Sequence, residues 1–207
     1  MLLDFLPVMI RTKVIHQNGM TIYYPQIFGM REVNIEQSMN ETIFNLVEWL
    51  IDEQHRQQDS TQFAEMIGTY EIKTNERNIL SLSLSNYAMM NHAAHGLTFM
   101  KSLTMDIETG HSYTLSELFK ENSNYVDVLS AIIAQQIEER DLPTLIDFTK
   151  IRPDQDFYVA DKSLVIYFQQ YELSAYAFGF PMFPISLFEL QDIIAEDGPL
   201  ATLATNS

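Results

Sequence analysis

Apolar and polar residues alternate along residues 79–85, where leucine and serine occupy successive positions. This period of two is typical of a β-strand with one face in the core and the other in solvent. Residues 66–73 and 97–107 carry similar strand-forming runs on either side. The three runs predict an antiparallel meander whose leucine face is buried and whose serine face is wet.

An opening hairpin is predicted near the start of the chain. Residues 11–16 and 21–24 are rich in β-forming residues and flank the turn sequence Gln17-Asn18-Gly19. Proline cannot donate to a strand ladder. We therefore expect the second strand to end at Tyr24-Pro25.

Two longer segments repeat apolar residues at helical spacing. The first begins at Asn34, a good N-cap, and runs to about His55, which predicts a long amphipathic helix. The second helix is predicted from about Ser123 to about residue 138. The apolar stripe of the first helix contains Ile35, Met39, Ile43, Leu46, Val47, Leu50 and Ile51.

Strands clustered in runs, with helices between the clusters, predict an α+β fold. We expect a mostly antiparallel sheet packed with two main helices, plus short helices that start at the capping boxes Thr114–Glu117 and Ser186–Glu189. A strand-rich part at 6–111 and a helix, hairpin and helix at 112–196 are predicted to form one compact unit. Residues 197–207 are predicted to be a loose tail.

A late hairpin leads into the most distinctive segment of the chain. Residues 157–160 and 164–168 flank the polar break 161–163. Behind the second strand lies an aromatic segment, and Glu172 is the single carboxylate within it. An unpaired buried carboxylate would cost several kcal/mol. We therefore expect Glu172 to be paired, hydrogen-bonded or exposed.

Aromatic side chains around Glu172 form the main candidate for a binding site. Tyrosine and phenylalanine are frequent in interface hot spots, and sugars also stack on them. The same residues could instead belong to the core. The predicted ligand-binding residues of this segment are Glu172 itself, Tyr167, Tyr171, Tyr176 and Phe178.

His95 is the second candidate. It precedes Gly96 in a predicted turn between two strands, where its ring could lie beside Glu172 and gain a raised pKa. The alternative is a structural histidine whose ring nitrogens bond backbone in the turn. A metal site from His92, His95 and Asp106 is a weaker reading, because this spacing in a turn is not diagnostic.

Composition narrows the possible functions. The 207 residues include 28 acidic and 12 basic side chains, a formal net charge of −16, which disfavours nucleic acid and anionic membranes as partners. With no cysteine, the chain has no disulfide, thiolate metal site or cysteine nucleophile. It has no Gly-rich phosphate loop, so we expect no cofactor. The apolar opening segment is short and lacks a basic leader, so by itself the sequence predicts a cytoplasmic protein without membrane insertion.

Paired carboxylates could support glycoside chemistry if two acids faced each other across a cleft. Asp106 with Glu172, or Asp154 with Asp156, are the pairs that the sequence offers. Asp154 and Asp156 also suit a turn before a strand. A Ser-His-Asp site is not indicated, because no Gly-x-Ser-x-Gly sequence occurs.

Short motifs follow one another in a fixed order over about Leu6 to Ala195. They are Tyr23-Tyr24-Pro25, Tyr70-Glu71-Ile72, Leu80-Ser81-Leu82, Tyr87, Ala94-His95-Gly96, Asp106 to Gly110, Leu115 to Phe119, Phe157-Tyr158, Ile166-Tyr167-Phe168 and Tyr171-Glu172. This order resembles the paired domains of PdaC/RsiV-like proteins. In Bacillus-type bacteria such domains occur in a lysozyme-sensing anti-sigma factor and beside the catalytic domain of a peptidoglycan deacetylase. The sequence differs from the usual pattern at His92-Ala93 and at Ser174-Ala175-Tyr176.

The resemblance implies an extracytoplasmic module that recognises a ligand rather than transforming it. We therefore expect a non-catalytic binding domain for a protein or a cell-wall glycan. The alternative is a hydrolase or transferase that acts on a wall polysaccharide through paired carboxylates.

Overall fold

A computed structural model describes residues 8–17 and 19–205. The chain divides between Ser112 and Tyr113 into two compact units. We call them unit 1 and unit 2. The apolar opening segment 1–7, the turn residue Asn18 and the last two tail residues, 206–207, lie outside the described residues.

Unit 1 is a five-stranded sheet with one long helix. The strands follow one another in chain order across the sheet, and every neighbouring pair is antiparallel except β2 and β3, which pair in parallel over three residues. The helix α1 connects these two parallel strands. The elements are β1 (Met9–Gln17), β2 (Met20–Phe28), α1 (Val33–Gln57), β3 (Glu65–Glu76), β4 (Ile79–Met89) and β5 (Leu97–Asp106).

The opening hairpin is confirmed, but its second strand is longer than predicted. β2 continues through Pro25, which lies opposite Thr12 of β1, as far as Phe28. On its other side β2 pairs with β3 only from Met20 to Ile22. No β3 residue pairs with Pro25, so the absence of an N–H on Pro25 removes no hydrogen bond between β2 and β3.

The apolar stripe of α1 fixes the helix on the sheet. Met39, Ile43, Val47 and Leu50 are buried against the leucine face of β4. Burying four such side chains contributes on the order of 6–12 kcal/mol before entropy is subtracted. The predicted N-cap Asn34 lies inside the helix, and the actual N-cap, Glu32, makes no side-chain capping bond. Packing rather than capping therefore positions α1.

The serine face of β4 is not wet as predicted. Ser81 and Ser83 are only 0% and 4% exposed. The Ser81 and Thr104 hydroxyls lie 3.0 Å apart across β4 and β5, so a buried polar pair satisfies itself. Small hydroxyl side chains can be buried when they bond to each other. The alternation of leucine and serine shows only that serine is polar, so it could not predict this burial.

Unit 2 contains a three-stranded antiparallel sheet, ordered β6-β7-β8, and the second predicted helix. The late hairpin is confirmed as β6 and β7, but the sequence analysis missed β8. Both capping-box segments form 3₁₀ turns. The elements are Ser116–Leu118 (3₁₀), α2 (Tyr125–Glu139), β6 (Phe157–Ala160), β7 (Ser163–Tyr167), Tyr176–Phe178 (3₁₀), β8 (Met182–Ser186), Leu187–Leu190 (3₁₀) and α3 (Pro199–Ala204).

Side chains at the C-terminal end of α2, from Gln136 and the C-cap residue Arg140, bind the backbone of the edge strand β8. Arg140 donates to the carbonyl of Met182 at 2.8 Å, and Gln136 donates to that of Pro184 at 2.9 Å. These bonds occupy carbonyl groups that an exposed edge would offer to another chain. They also fix β8, and with it one end of the loop that precedes it.

The tail is not uniformly loose as predicted, because residues 199–204 form α3. Pro199 occupies the first helical turn, where its missing N–H has no intrahelical role. Leu200 and Leu203 are 0% and 1% exposed. A six-residue helix is not stable by itself, so the burial of these two leucines is what orders the segment.

None of the helices formed by the described residues combines the length and apolar character that a bilayer crossing requires.

Replacing Gln54 should reveal how much unit 1 depends on one buried amide. The side chain is 0% exposed, and its Nε2 donates to the carbonyls of Asn86 (2.6 Å) and Leu97 (3.0 Å), on β4 and β5. Gln54→Leu leaves both carbonyls without this donor, so we expect a loss of about 1–3 kcal/mol in the free energy of unfolding, measured in urea. The control Gln37→Leu, at an exposed position of α1, should change it by less than about 0.5 kcal/mol. Equal losses would contradict the role of Gln54.

Leu203→Ala tests whether α3 is an integral part of unit 2. Removing a buried leucine side chain should lower the free energy of unfolding by about 2–5 kcal/mol. Gln191→Ala, at an exposed position of unit 2, serves as the control and should change it by less than about 0.5 kcal/mol. A neutral Leu203→Ala would show that the tail is loose after all.

Candidate functional site

The connection between β7 and β8, residues 168–181, is the aromatic loop. Tyr171 and Phe178 are 48% and 47% exposed, and Tyr176 is half-buried. The Tyr171 and Tyr176 rings lie 5.8 Å apart, with their planes tilted by 34°. Three predicted aromatic residues, and Glu172 with them, thus lie on one loop of unit 2.

The carboxylate of Glu172 is paired and hydrogen-bonded, as expected for an acid among aromatic residues. One oxygen, Oε1, accepts from Arg152 and from Gln155 Nε2 at 3.3 Å. The other, Oε2, accepts from the backbone N–H of Gln169 at 2.7 Å. Both oxygens are therefore committed to holding the start of the aromatic loop.

Residues 152–156 form the base of the loop. Burial alone lowers the pKa of the Arg152 guanidinium, but the hydrogen bond and charge of Glu172, with the charges of Asp156 and Asp154, raise it above its ordinary value. Arg152 is therefore a permanent cation at this base. Gln155, only 2% exposed, also donates to the carbonyl of Tyr167 at 2.9 Å, which ties the base to the end of β7.

The base is in turn fastened to α2. The Tyr125 hydroxyl donates to the carbonyl of Pro153 at 3.0 Å, and burial, followed by the charge of Asp154, raises the pKa of Tyr125. The backbone N–H of Ile151 donates to the hydroxyl of Ser130 at 3.0 Å. The aromatic loop therefore rests on a segment that the helix holds in place.

Two exposed aliphatic residues accompany the aromatic loop, and the sequence analysis missed both. The backbone N–H of Leu145 donates to the carbonyl of Leu173 at 2.8 Å. The bend at residues 145–146 therefore lies beside the aromatic loop. Leu145 and Ile146 are 54% and 64% exposed. The sequence did contain a signal for them, because Leu145 and Ile146 are two adjacent large aliphatic residues that belong to no predicted helix or strand. We call Leu145, Ile146, Tyr171, Tyr176 and Phe178 the aromatic surface.

Tyr171 has a left-handed backbone conformation, with φ of +66°. For a residue with a side chain this costs roughly 1–2 kcal/mol. The N–H of Glu172 donates to the carbonyl of Gln169 at 3.1 Å, so the turn around Tyr171 is closed by backbone as well as by the Glu172 carboxylate. A left-handed residue of this kind occurs in tight turns and also at ligand sites.

Tyr167 lies in the core rather than on the surface. It is 0% exposed, and its ring centroid lies 6.0 Å from that of Tyr158 on β6. Its place at the end of β7 makes it a support for the loop. We therefore leave it out of the aromatic surface.

His95 lies in unit 1, in the exposed turn between β4 and β5. Its Nδ1 is 3.1 Å from the carbonyl oxygen of Gly96, which fits the structural reading of this histidine. A Cβ on Gly96 would lie 2.3 Å from the Tyr87 ring, so the turn requires glycine there. Because His95 and Glu172 belong to different units, their pairing stays a prediction.

The acids considered for glycoside chemistry all have partners in the structure. Asp106 accepts from the backbone N–H and the hydroxyl of Thr109, at 2.8 and 3.0 Å. Asp154 lies 3.4 Å from Arg152, and Asp156 accepts from Gln169 at 2.9 Å. Across the described ranges, no three His, Asp, Glu or Cys residues are arranged to hold a metal ion.

Comparison with protein families gives a match within unit 2. The family described as a protein of unknown function, DUF3298, matches residues 116–187, a range that contains α2, the sheet of unit 2 and the aromatic loop. A search of curated proteins finds no significant relative.

Two solved structures share the fold over almost the whole chain. A member of the DUF3298 family from Bacteroides fragilis is 13% identical, with a TM-score of 0.66 and 98% of both chains covered. A DUF3298 family protein from Pseudomonas aeruginosa is 12% identical, with a TM-score of 0.68 and 99% of both chains covered. Residues 116–187 thus match the DUF3298 family model, and the chain as a whole shares its fold with two DUF3298 proteins.

Proposed function

We propose that this protein is a non-catalytic recognition domain that binds a protein, or alternatively a cell-wall glycan, through the aromatic surface of unit 2. The observation that carries the proposal is a set of exposed aromatic rings on a loop that an ion pair and backbone bonds hold in place. The resemblance to PdaC/RsiV-like proteins supports it, because recognition is the role that this resemblance implies.

Exposed rings on an ordered loop suit binding energetically. Tyrosine offers a large contact area with few rotatable bonds, so little entropy is lost when a partner covers it. The Glu172 and Leu173 contacts order the loop before a partner arrives, which lowers the cost of association further. The strained backbone at Tyr171 fits a residue whose position serves a ligand.

Charge favours some partners over others. No Lys or Arg follows Lys162, whereas five acids do, and the chain as a whole carries −16. A field of this sign speeds association with a basic protein and repels anionic polymers. Among the two classes of ligand, a basic protein therefore suits the surface best, and a neutral glycan comes second.

The hydrolase alternative has no observation in its favour. A nucleophilic or general-base carboxylate must be able to reach the substrate. Both oxygens of Glu172 instead accept hydrogen bonds from its own loop and from the base of the loop.

Incubation of the protein with peptidoglycan, with and without divalent metal, tests for catalysis. It should release no soluble product. Release of product would replace the recognition proposal with catalysis.

The double variant Tyr171→Ala/Phe178→Ala should abolish the binding that the intact protein shows. Two aromatic residues of a hot spot together account for several kcal/mol, so we expect the affinity to fall by at least about 100-fold. Affinity is measured for ligands captured from envelope and cytoplasmic extracts and, in a separate arm, by co-sedimentation with peptidoglycan. The two arms distinguish protein from glycan.

Phe188→Ala is the matched control, because Phe188 is 50% exposed and lies on another element of unit 2. It should leave binding within about twofold of the intact protein. Binding that survives Tyr171→Ala/Phe178→Ala, or that falls equally in the control, would exclude the aromatic surface as the site.

The ion pair between Arg152 and Glu172 should stabilise the loop measurably. The two side chains are 50% and 23% exposed, so solvent screens the pair and we expect a coupling of about 0.5–1 kcal/mol. A double-mutant cycle of Arg152→Met and Glu172→Gln, followed by urea unfolding, measures it. The Lys150–Asp127 pair, 57% and 61% exposed, is the control and should couple less strongly. No coupling between Arg152 and Glu172 would show that the backbone contacts alone hold the loop.

A further inference from the structure

The hydroxyl of Tyr171 is a polar group of the aromatic surface that the fold leaves unused. Within residues 8–17 and 19–205, the side chain of Tyr171 makes a ring contact with Tyr176 and no hydrogen bond. A phenol donates one hydrogen bond and also accepts. A ligand that offers free carbonyl oxygens would therefore match both the exposed ring and its hydroxyl.

Asp147 is an exposed carboxylate beside the same surface. It follows Ile146 and lies two residues from Leu145, whose N–H bonds to the loop, so its Cα lies within about 7 Å of that of Leu145. In the part of the chain that the structure describes, Asp147 has no ion-pair or hydrogen-bond partner. Both oxygens of Glu172, by contrast, are bonded within unit 2. Asp147 thus remains available to a cationic group of a partner.

Much of the backbone of the aromatic loop is already hydrogen-bonded. The N–H groups of Gln169 and Glu172 donate within the loop. Those of Phe178 and Gly179 also donate to loop carbonyls. In the adjoining edge strand β8, two carbonyls accept from side chains at the end of α2. Strand addition depends on main-chain hydrogen bonds to an exposed edge, so a ligand that pairs as a β-strand is poorly matched to this surface.

The conformation of the ligand also decides whether its carbonyls can reach the Tyr171 hydroxyl. Carbonyls of an α-helix are bonded within the helix and would leave this hydroxyl without an acceptor. A polyproline II segment has no internal hydrogen bonds, so its carbonyls are free. Such segments dock on aromatic-lined grooves. The rings of Tyr171 and Tyr176, 5.8 Å apart and tilted by 34°, offer two adjacent walls of this kind.

We infer that the aromatic surface binds an extended, proline-rich segment of a protein that carries a lysine or arginine beside its prolines. This inference rests on the proposed function and specifies what the partner presents. The prolines contact the Tyr171 and Tyr176 rings, the Tyr171 hydroxyl donates to a carbonyl of the segment, and the basic side chain pairs with Asp147. Because the segment is extended before it binds, association costs little conformational entropy.

Fluorescence polarisation of labelled synthetic peptides, titrated with the full chain, tests the inference. The probe is a proline-rich peptide that ends in a pair of lysines. One comparison peptide has alanine in place of each proline, and another has glutamate in place of each lysine. We expect saturable binding of the probe and at least about tenfold weaker binding of both comparison peptides, because the first is not preformed and the second is repelled by an acidic protein. Absence of saturable probe binding, or equal binding of either comparison peptide, would overturn the inference.

Two conservative variants test whether the probe binds where the inference places it. Tyr171→Phe keeps the ring and removes the hydroxyl, so it should weaken probe binding about three- to tenfold. Asp147→Asn removes an exposed charge and should weaken binding about two- to fivefold. Circular dichroism confirms that both variants are folded.

Matched controls make the same chemical changes elsewhere. Tyr23→Phe alters an exposed tyrosine of unit 1, and Asp192→Asn alters an exposed acid of unit 2 outside the aromatic loop. Each should change the affinity for the probe by less than about 1.5-fold. Equal weakening in controls and variants would overturn the inference, because it would reduce the interaction to non-specific attraction.

The inference and the proposed function can fail separately. Capture of a ligand that depends on Tyr171 and Phe178, without binding of the probe, would leave the aromatic surface as a recognition site and show that its ligand is not proline-rich. Sedimentation with peptidoglycan alone would likewise overturn the inference and favour the glycan. Absence of any binding that depends on these residues would overturn both.

Discussion

The carboxylate of Glu172 holds the aromatic loop in the position that makes it a candidate surface. Without Arg152, Gln155 and the N–H of Gln169, this acid would be unpaired in an aromatic setting and the loop would have to carry it into solvent. The partners come from a base segment that α2 fixes, so helix, strand and loop depend on one polar network. The exposed rings need not be buried to order the loop, because the hydrogen bonds of Glu172 hold the loop in place.

Unit 1 shows the same dependence on satisfied buried polar groups. Gln54 donates from α1 to carbonyls of two strands, and the hydroxyls of Ser81 and Thr104 bond to each other within the sheet. Apolar packing of the α1 stripe supplies most of the attraction between helix and sheet. The buried hydrogen bonds make this packing specific, because each of them can form in only one alignment of helix and strands. The side-chain amide of Asn86 is the exception in unit 1, because its Oδ1 and Nδ2 are buried without a hydrogen-bond partner among the described residues.

Local patterns were enough to predict most elements. The period of two found β3, β4 and β5, and the helical stripe found α1, because burial of one face leaves a regular trace in the sequence. β8 was missed because it is a short strand of five residues, Met182–Ser186, with a proline inside it. Pro184 is tolerated there because β8 is an edge strand, which is a fact about its neighbours and not about its own residues.

By itself, the sequence determined the α+β class, the two main helices, both hairpins and the identity of the aromatic residues, since each depends on propensity and periodicity within a short segment. Only the tertiary structure decided which of those rings are accessible. Tyr167 became core while Tyr171 and Phe178 stayed exposed, although the sequence analysis offered all three as binding candidates. It also decided the partner of Glu172, because Arg152 lies 20 residues earlier and only folding brings a side chain that distant to the loop.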